Sequence, residues 1–247
     1  MRIIIGGKMK YKICDIHSHI VPAVDDGASN MNMSIEMLRM AYAQGTRDII
    51  CTSHSGSNIK KYYQNLNLLQ KKMEMENIGI NLYPGCEVYC NAHILKDIIE
   101  GLNRKTIPTI NGTRYVLVEF DPYESVSVII DCVKELFKHG YKPIIAHAER
   151  CLNLSTADKQ ISYLQKIGCL FQVNAYSLQD TTDMRIKTFA RKLLKEKYIT
   201  FIGSDSHRIN HRTYMIKNGV DYVYKYCDVE YAKDICYRNA NNILKIK

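Results

Sequence analysis

Residues 11–19 read "YKICDIHSH", a short apolar run that ends on two histidines one residue apart. An apolar, β-branched run of this length suits a strand buried on both faces of a parallel sheet. The same reading extends to 48–52 "DIICT", 80–86 "INLYPGC", 114–120 "RYVLVEF", 143–147 "PIIAH", 169–174 "CLFQVN" and 199–204 "ITFIGS". Between these runs lie amphipathic stretches with helical spacing: 30–44, 59–77, 125–139, 157–167, 183–196 and 229–244. In the first, Ile35, Leu38, Ala41 and Tyr42 share one face and Gly45 is placed to cap the end. Strand–helix alternation of this kind predicts an α/β barrel or a doubly wound sheet.

The polar residues follow the strands. His17 and His19 come after the first, His54 after the second and Glu87 after the third. Glu119 ends the fourth, His147 the fifth and Asn174 the sixth, and Asp205 and His207 follow the seventh. In a barrel of parallel strands these ends share one rim, where such folds carry their sites. Any one of these residues alone reads as a capping, turn or solvated side chain. Ligand types at the end of every strand are a joint pattern, and they predict a metal site. Five of the eight histidines belong to it, whereas His93 and His139 read as surface residues. Imidazole and carboxylate without thiolate suit Mn, Fe(II) or Zn. So many donors exceed the need of one ion, so two or three are expected, in an arrangement that activates water and clamps a phosphoryl group.

Composition narrows the class. Of 247 residues, 46% are hydrophobic and 24% charged, ordinary values for a globular chain that can bury a sizeable core. No apolar run approaches the roughly 20 residues of a spanning helix, so no membrane insertion is expected. Met9 is a second candidate start, which would make residues 1–8 an upstream extension of a single domain covering 1–247. Nine scattered cysteines, with no CxxC pair, predict buried free thiols and a cytoplasmic protein. None has arginine six residues later, so no cysteine-nucleophile motif of that spacing is present. A net charge of +9 favours an anionic partner, but the lysines form no basic arm and nucleic-acid binding is not expected.

"DIHSHI", "VDDGAS", "TSH", "GCEVY", "VEF", "PIIAHAER", "QVNAYSL" and "GSDSH" occur in order over residues 14–207. Together they resemble the PHP (polymerase and histidinol phosphatase) superfamily, and more narrowly its CpsB/CapC-type bacterial protein-tyrosine phosphatases. "HSHIVPAVDDGAS" with "GYKPIIAHAER" selects that branch. The resemblance implies a distorted (β/α)7 barrel, TIM-barrel-like, holding a trinuclear centre usually described with Mn2+. It implies a first site of His17, His19, Glu87 and Asp205, and a second of Glu87, Glu119 and His147 bridged by Glu87. Asp26, His54 and His207 would form the third. Arg150 and Arg212 match the phosphate-binding positions, and Asp26 is also a candidate proton donor, leaving Asp25 as a loop residue. Ser53 and Ala148 replace prolines common in relatives, Ser55 a histidine and Cys151 a tyrosine, so the rim loops are expected to differ in shape.

The implied reaction is hydrolysis of phosphotyrosine by a metal-activated hydroxide. The implied partner is a tyrosine-phosphorylated protein, a bacterial tyrosine kinase of capsule or exopolysaccharide synthesis. The alternatives are a small-molecule phosphatase such as histidinol phosphatase, and a phosphodiesterase.

Overall fold

Within the strands, neighbouring residues go to different cores. Ile50, Leu117, Ile144 and Phe201 pack in one cluster with Cys14 and Ile16, whereas Ile49, Val116, Val118, Ile145 and Ile202 join a second, larger one under the helices. Successive strand side chains face opposite sides, and here both sides are apolar. That is why the runs read as continuously hydrophobic.

The computed structural model describes residues 11–245; the candidate start at Met9 and the extension 1–8 lie outside them. β1 (Ile13–Ser18), β2 (Thr46–Cys51) and β3 (Asn81–Pro84) form one sheet. β4 (Glu87–Tyr89), β5 (Tyr115–Glu119), β6 (Lys142–Ile145), β7 (Leu170–Asn174) and β8 (Phe201–Gly203) form a second, in that order. Every pairing is parallel.

The third expected strand, 80–86, is instead the short β3, which ends before Gly85 and is followed by β4. The two keep one register against the second strand: Cys51 pairs with Pro84, and an isolated parallel bridge pairs His54 with Glu87 at the same offset. A second bridge, Ser18 to Ser206, links β1 to the chain beyond β8.

The crossovers are α1 (Met31–Ala43), α2 (Ile59–Met75), α3 (Leu95–Asn103), α4 (Val126–Lys138), α5 (Asp158–Lys166) and α6 (Met184–Lys195). α7 (Lys217–Tyr226), α8 (Val229–Lys233) and α9 (Asn239–Leu244) close the chain, with a π turn at Asp234–Arg238 where one continuous helix was expected. Local chemistry starts several of them: Asn30 Oδ1 accepts from Met33 N (3.0 Å) and Ser125 Oγ from Val128 N (3.3 Å). α1 buries Ile35, Leu38 and Ala41, but Tyr42 lies outward under the Arg47 guanidinium, 4.0 Å from its ring centre.

The sequence pattern missed α3 and α7. Ile94 and Ile216 supply no side-chain cap, and each helix holds an internal glycine, which weakens helix propensity. Gly219 is there for contact: a Cβ would sit 2.1 Å from the Ala175 carbonyl oxygen. No helix among the described residues is long and apolar enough to cross a membrane. None of the nine cysteines is in a disulfide, and all are buried except the half-buried Cys227.

Candidate metal centre

Glu87 opens β4 and is buried, and its carboxylate is shared. Oε2 lies 3.1 Å from both His17 Nε2 and His19 Nε2 and 3.2 Å from His54 Nδ1. Oε1 lies 2.9 Å from His147 Nε2, which is 3.3 Å from Glu119 Oε1. Asp205 Oδ1 lies 3.5 Å from His17 Nε2 and 3.6 Å from His19 Nε2. The two imidazole Nε2 atoms are themselves 3.3 Å apart. Despite this crowding, Glu87 Oε2 and Asp205 Oδ1 accept no hydrogen bond.

Buried carboxylate oxygens without a donor are costly. A cation would satisfy all four donors at once, since ligand atoms about 2.1 Å from a common ion lie roughly 3.0–3.4 Å apart. The donor set therefore fits divalent metal. An outer group adjoins it: Asp26 Oδ1 lies 3.5 Å from both His54 Nε2 and His207 Nε2. The structure thus brings His17, His19, Glu87 and Asp205 together, gathers His19, Asp26, His54 and His207, and sets His54, Glu87 and Glu119 in a third group. His54 faces both Glu87 and Asp26, so it stands between the pockets.

Strand parity explains part of this convergence. Glu119 lies two residues beyond Leu117, and His54 four beyond Ile50, on the inward side. β1 slips register between Asp15 and Ser18, and His147 and Asp205 have φ of 29° and 51°. Left-handed backbone at non-glycine residues is costly and concentrates at sites; here it falls at two residues whose side chains face the His17, His19 and Glu87 cluster.

Carboxylate density drives the local electrostatics. Burial lowers the affinity of His19 for a proton, but Asp25 and Glu87 outweigh it and raise its pKa to about 10. Burial likewise opposes protonation of His147, yet Glu119 and Glu87 raise it to about 10. Burial would raise Glu87, but the His17 charge and three imidazole contacts hold it well below the usual carboxylate range. His207 goes the other way, down to about 4, through burial and then the charges of His19 and Arg212. Burial among carboxylates thus favours positive charge at His19 and His147, whereas His207 resists an added proton.

Arg150 and Arg212 stand at the mouth, 25% and 30% exposed at their side chains. Arg150 Nη2 is 3.2 Å from Asp205 Oδ2, Arg212 pairs with the same oxygen, and Arg212 Nη1 is 2.9 Å from His207 Nε2.

Asp25 reads from sequence as a plain loop residue, and the structure adds a role. Its Oδ2 accepts from His19 Nδ1 (2.8 Å) and from the His54 backbone N–H (3.1 Å), and Oδ1 accepts from Gly27 N (3.1 Å). Buried Asp15 was also missed; its Oδ1 accepts from His17 N (3.1 Å) and Ser204 N (2.8 Å). Both aspartates stand beside the histidine pair in sequence, the one signal that could have found them. Asn174 donates to Asp205 Oδ2 (2.9 Å).

Residues 13–245 match the family described as capsular polysaccharide synthesis, CpsB/CapC. The chain is 36% identical over 208 residues to the putative tyrosine-protein phosphatase CapC of Staphylococcus aureus, covering 82% of this chain and 80% of that one. It is 29% identical over 241 residues to the tyrosine-protein phosphatase CpsB of Streptococcus agalactiae serotype III, covering 94% and 98%. Among solved structures it superposes, with a TM-score of 0.85 and 28% identity, on one of the pair described as YwqE from Bacillus subtilis and CpsB from Streptococcus pneumoniae, unique metal-dependent tyrosine phosphatases. That match covers 94% of each chain.

Proposed function

We infer the activity from the premise that this chain belongs to the CpsB/CapC family of capsular polysaccharide synthesis: it is a metal-dependent protein-tyrosine phosphatase. The observation that carries the reading is Glu87, whose Oε2 faces three imidazoles and whose Oε1 faces a fourth, beside two half-exposed arginines.

The finer assignments are ours. His17, His19, Glu87 and Asp205 would hold a first ion, Glu87, Glu119 and His147 a second, and Asp26, His54 and His207 a third. Mn2+ is the proposed native metal, from the family resemblance, with Fe or Zn as competitors, since imidazole and carboxylate donors suit all three. We take β3 and β4 as one interrupted strand and the two isolated bridges as closure of a distorted (β/α)7 barrel, one PHP phosphoesterase domain.

When bound, the ions supply a water ionised near neutral pH and offset charge on the phosphoryl oxygens. The chain's own groups do the rest. Arg150 and Arg212 present guanidinium forks at the mouth, suited to phosphate oxygens. A phosphate dianion draws them off Asp205 Oδ2, the oxygen they now share. The leaving phenolate has a pKa of about 10 and needs only modest protonic help. Solvent can supply it, or Asp26, 60% exposed beside His54 and His207, as the alternative to its role as a ligand. Its substrate is a tyrosine-phosphorylated protein, and we propose a bacterial tyrosine kinase of capsule synthesis acting in the cytoplasm.

The test is hydrolysis of a phosphotyrosine peptide, histidinol phosphate and a phosphodiester, with Mn2+ and with chelator. Metal-dependent preference for the peptide is the expected result. Preference for histidinol phosphate or the diester would overturn the substrate assignment, and chelator-resistant turnover the metal reading.

A further inference from the structure

Two side chains of β7 that the proposed reaction does not use tie three of its ligands together. Gln172 and Asn174 are both fully buried, two residues apart on one strand face. Gln172 Oε1 accepts from the His147 backbone N–H (2.8 Å) and faces His17 Nδ1 at 3.0 Å. Gln172 Nε2 donates to Asn174 Oδ1 (2.8 Å), and Asn174 Nδ2 donates to Asp205 Oδ2 (2.9 Å).

The direction of this chain follows from its ends. A backbone N–H can only donate, so the Gln172 atom facing His147 is the oxygen, and its amide nitrogen points to Asn174. A carboxylate accepts, so Asn174 turns its nitrogen to Asp205 and its oxygen back to Gln172. A neutral His17, the form that can ligate a metal, must then carry its proton on Nδ1, which leaves the Nε2 lone pair directed at Glu87, His19 and Asp205. Asp205 is divided in the same way: Oδ2 is held by Asn174 and the arginines, and Oδ1 is left without a hydrogen bond among the converging donors. Successive donors aligned in one sense polarise one another. β8 is shaped around the chain, since a Cβ at Gly203 would lie 2.8 Å from both Gln172 Nε2 and His17 Cβ.

We propose that Gln172 and Asn174 are positioning residues, one amide relay running from His17 to Asp205 that sets the imidazole tautomer and the free carboxylate oxygen of the inner group. Through its bond to the His147 N–H the relay also braces a ligand held in left-handed backbone. It couples β1 and β7 to the chain just beyond β6 and β8, through side chains and the His147 backbone N–H. The inference rests on the metal-centre reading above.

The test uses the full chain, with Gln172→Met, Asn174→Ala and the double variant. Affinity for the tightest Mn2+ is measured by competition with a chelator, and the His17 ring nitrogens are followed by NMR with diamagnetic Zn2+. Gln172→Met is expected to weaken the tightest ion by roughly 10–100-fold and to release the Nδ1–H tautomer of His17. Asn174→Ala costs less and leaves that tautomer in place. The double variant is no worse than Gln172→Met, because the residues act as one unit. Unchanged affinity in a folded Gln172→Met, losses that simply add, or an Nε2–H tautomer in the native chain would each overturn the relay. Native protein that takes up no ion would sink the metal reading and the relay with it, an outcome distinct from ordinary uptake that the variants leave untouched.

Discussion

At the inner group, His17 and His19 are fully buried, and each Nδ1 already has a partner, Gln172 and Asp25 respectively. At the outer group Asp26 and His54 are held more loosely: Asp26 is 60% exposed, and His54 is 35% exposed, its ring nitrogens facing carboxylates and its ring 4.6 Å from that of His19. His207, though buried, is oriented by a backbone carbonyl, Asp205 O at 3.0 Å. The difference lies in when ordering is accomplished. Folding has already fixed the inner ligands, whereas an outer ion must itself immobilise side chains that retain freedom. Donors of the same chemistry should therefore bind with different strength and exchange at different rates.

The largest effect falls where the two halves meet. Glu87→Gln should lower turnover on a phosphotyrosine peptide by more than the roughly 10²–10³-fold typical of losing one electrostatic donor. Ion content should fall in parallel, and a variant that retains both would break the shared-carboxylate reading. Next is Asp25→Asn, which weakens the brace on His19. A loss of roughly 10–100-fold in affinity for the tightest ion is expected by chelator titration, and an effect confined to the weakest ion would move Asp25 to the outer half.

Asp26→Asn should act in the opposite place, lowering affinity for the weakest ion by about tenfold while the inner content stays constant in elemental analysis. Graded chelation of the native protein sharpens the same contrast, with at least two stages and the outer ion leaving first. Loss of all metal in one step would erase the distinction. The smallest change is Arg150→Lys, which keeps charge but loses the planar fork. KM for the peptide should rise several-fold, and unchanged KM would remove Arg150 from substrate contact.

Much of this was legible in the chain. The apolar runs marked the strands because a parallel sheet covered on both faces needs apolar residues at successive positions. The ligand types at their ends marked the rim, from His17 to His207. What stayed hidden was long-range. Gln172 reads as one polar residue in "CLFQVN", and nothing near it in sequence points to His17, 155 residues earlier. Asp25 and Asp26 are adjacent and chemically identical, yet one turns inward to His19 and the other outward to His54 and His207. α3 and α7 escaped notice because their glycines answer to packing against Ile107 and Ala175, not to helix propensity.

The sequence by itself determined the α/β class, the end of each strand at which chemistry gathers and the donor types available, because periodicity and ligand chemistry are local properties. Only the tertiary structure decided which oxygen of Glu87 faces which imidazole, that Asp25 holds the His19 ring, and which side chains share a pocket. Those outcomes depend on distances of about 3 Å between atoms of separate strands, set by register slips and left-handed turns that no local pattern encodes.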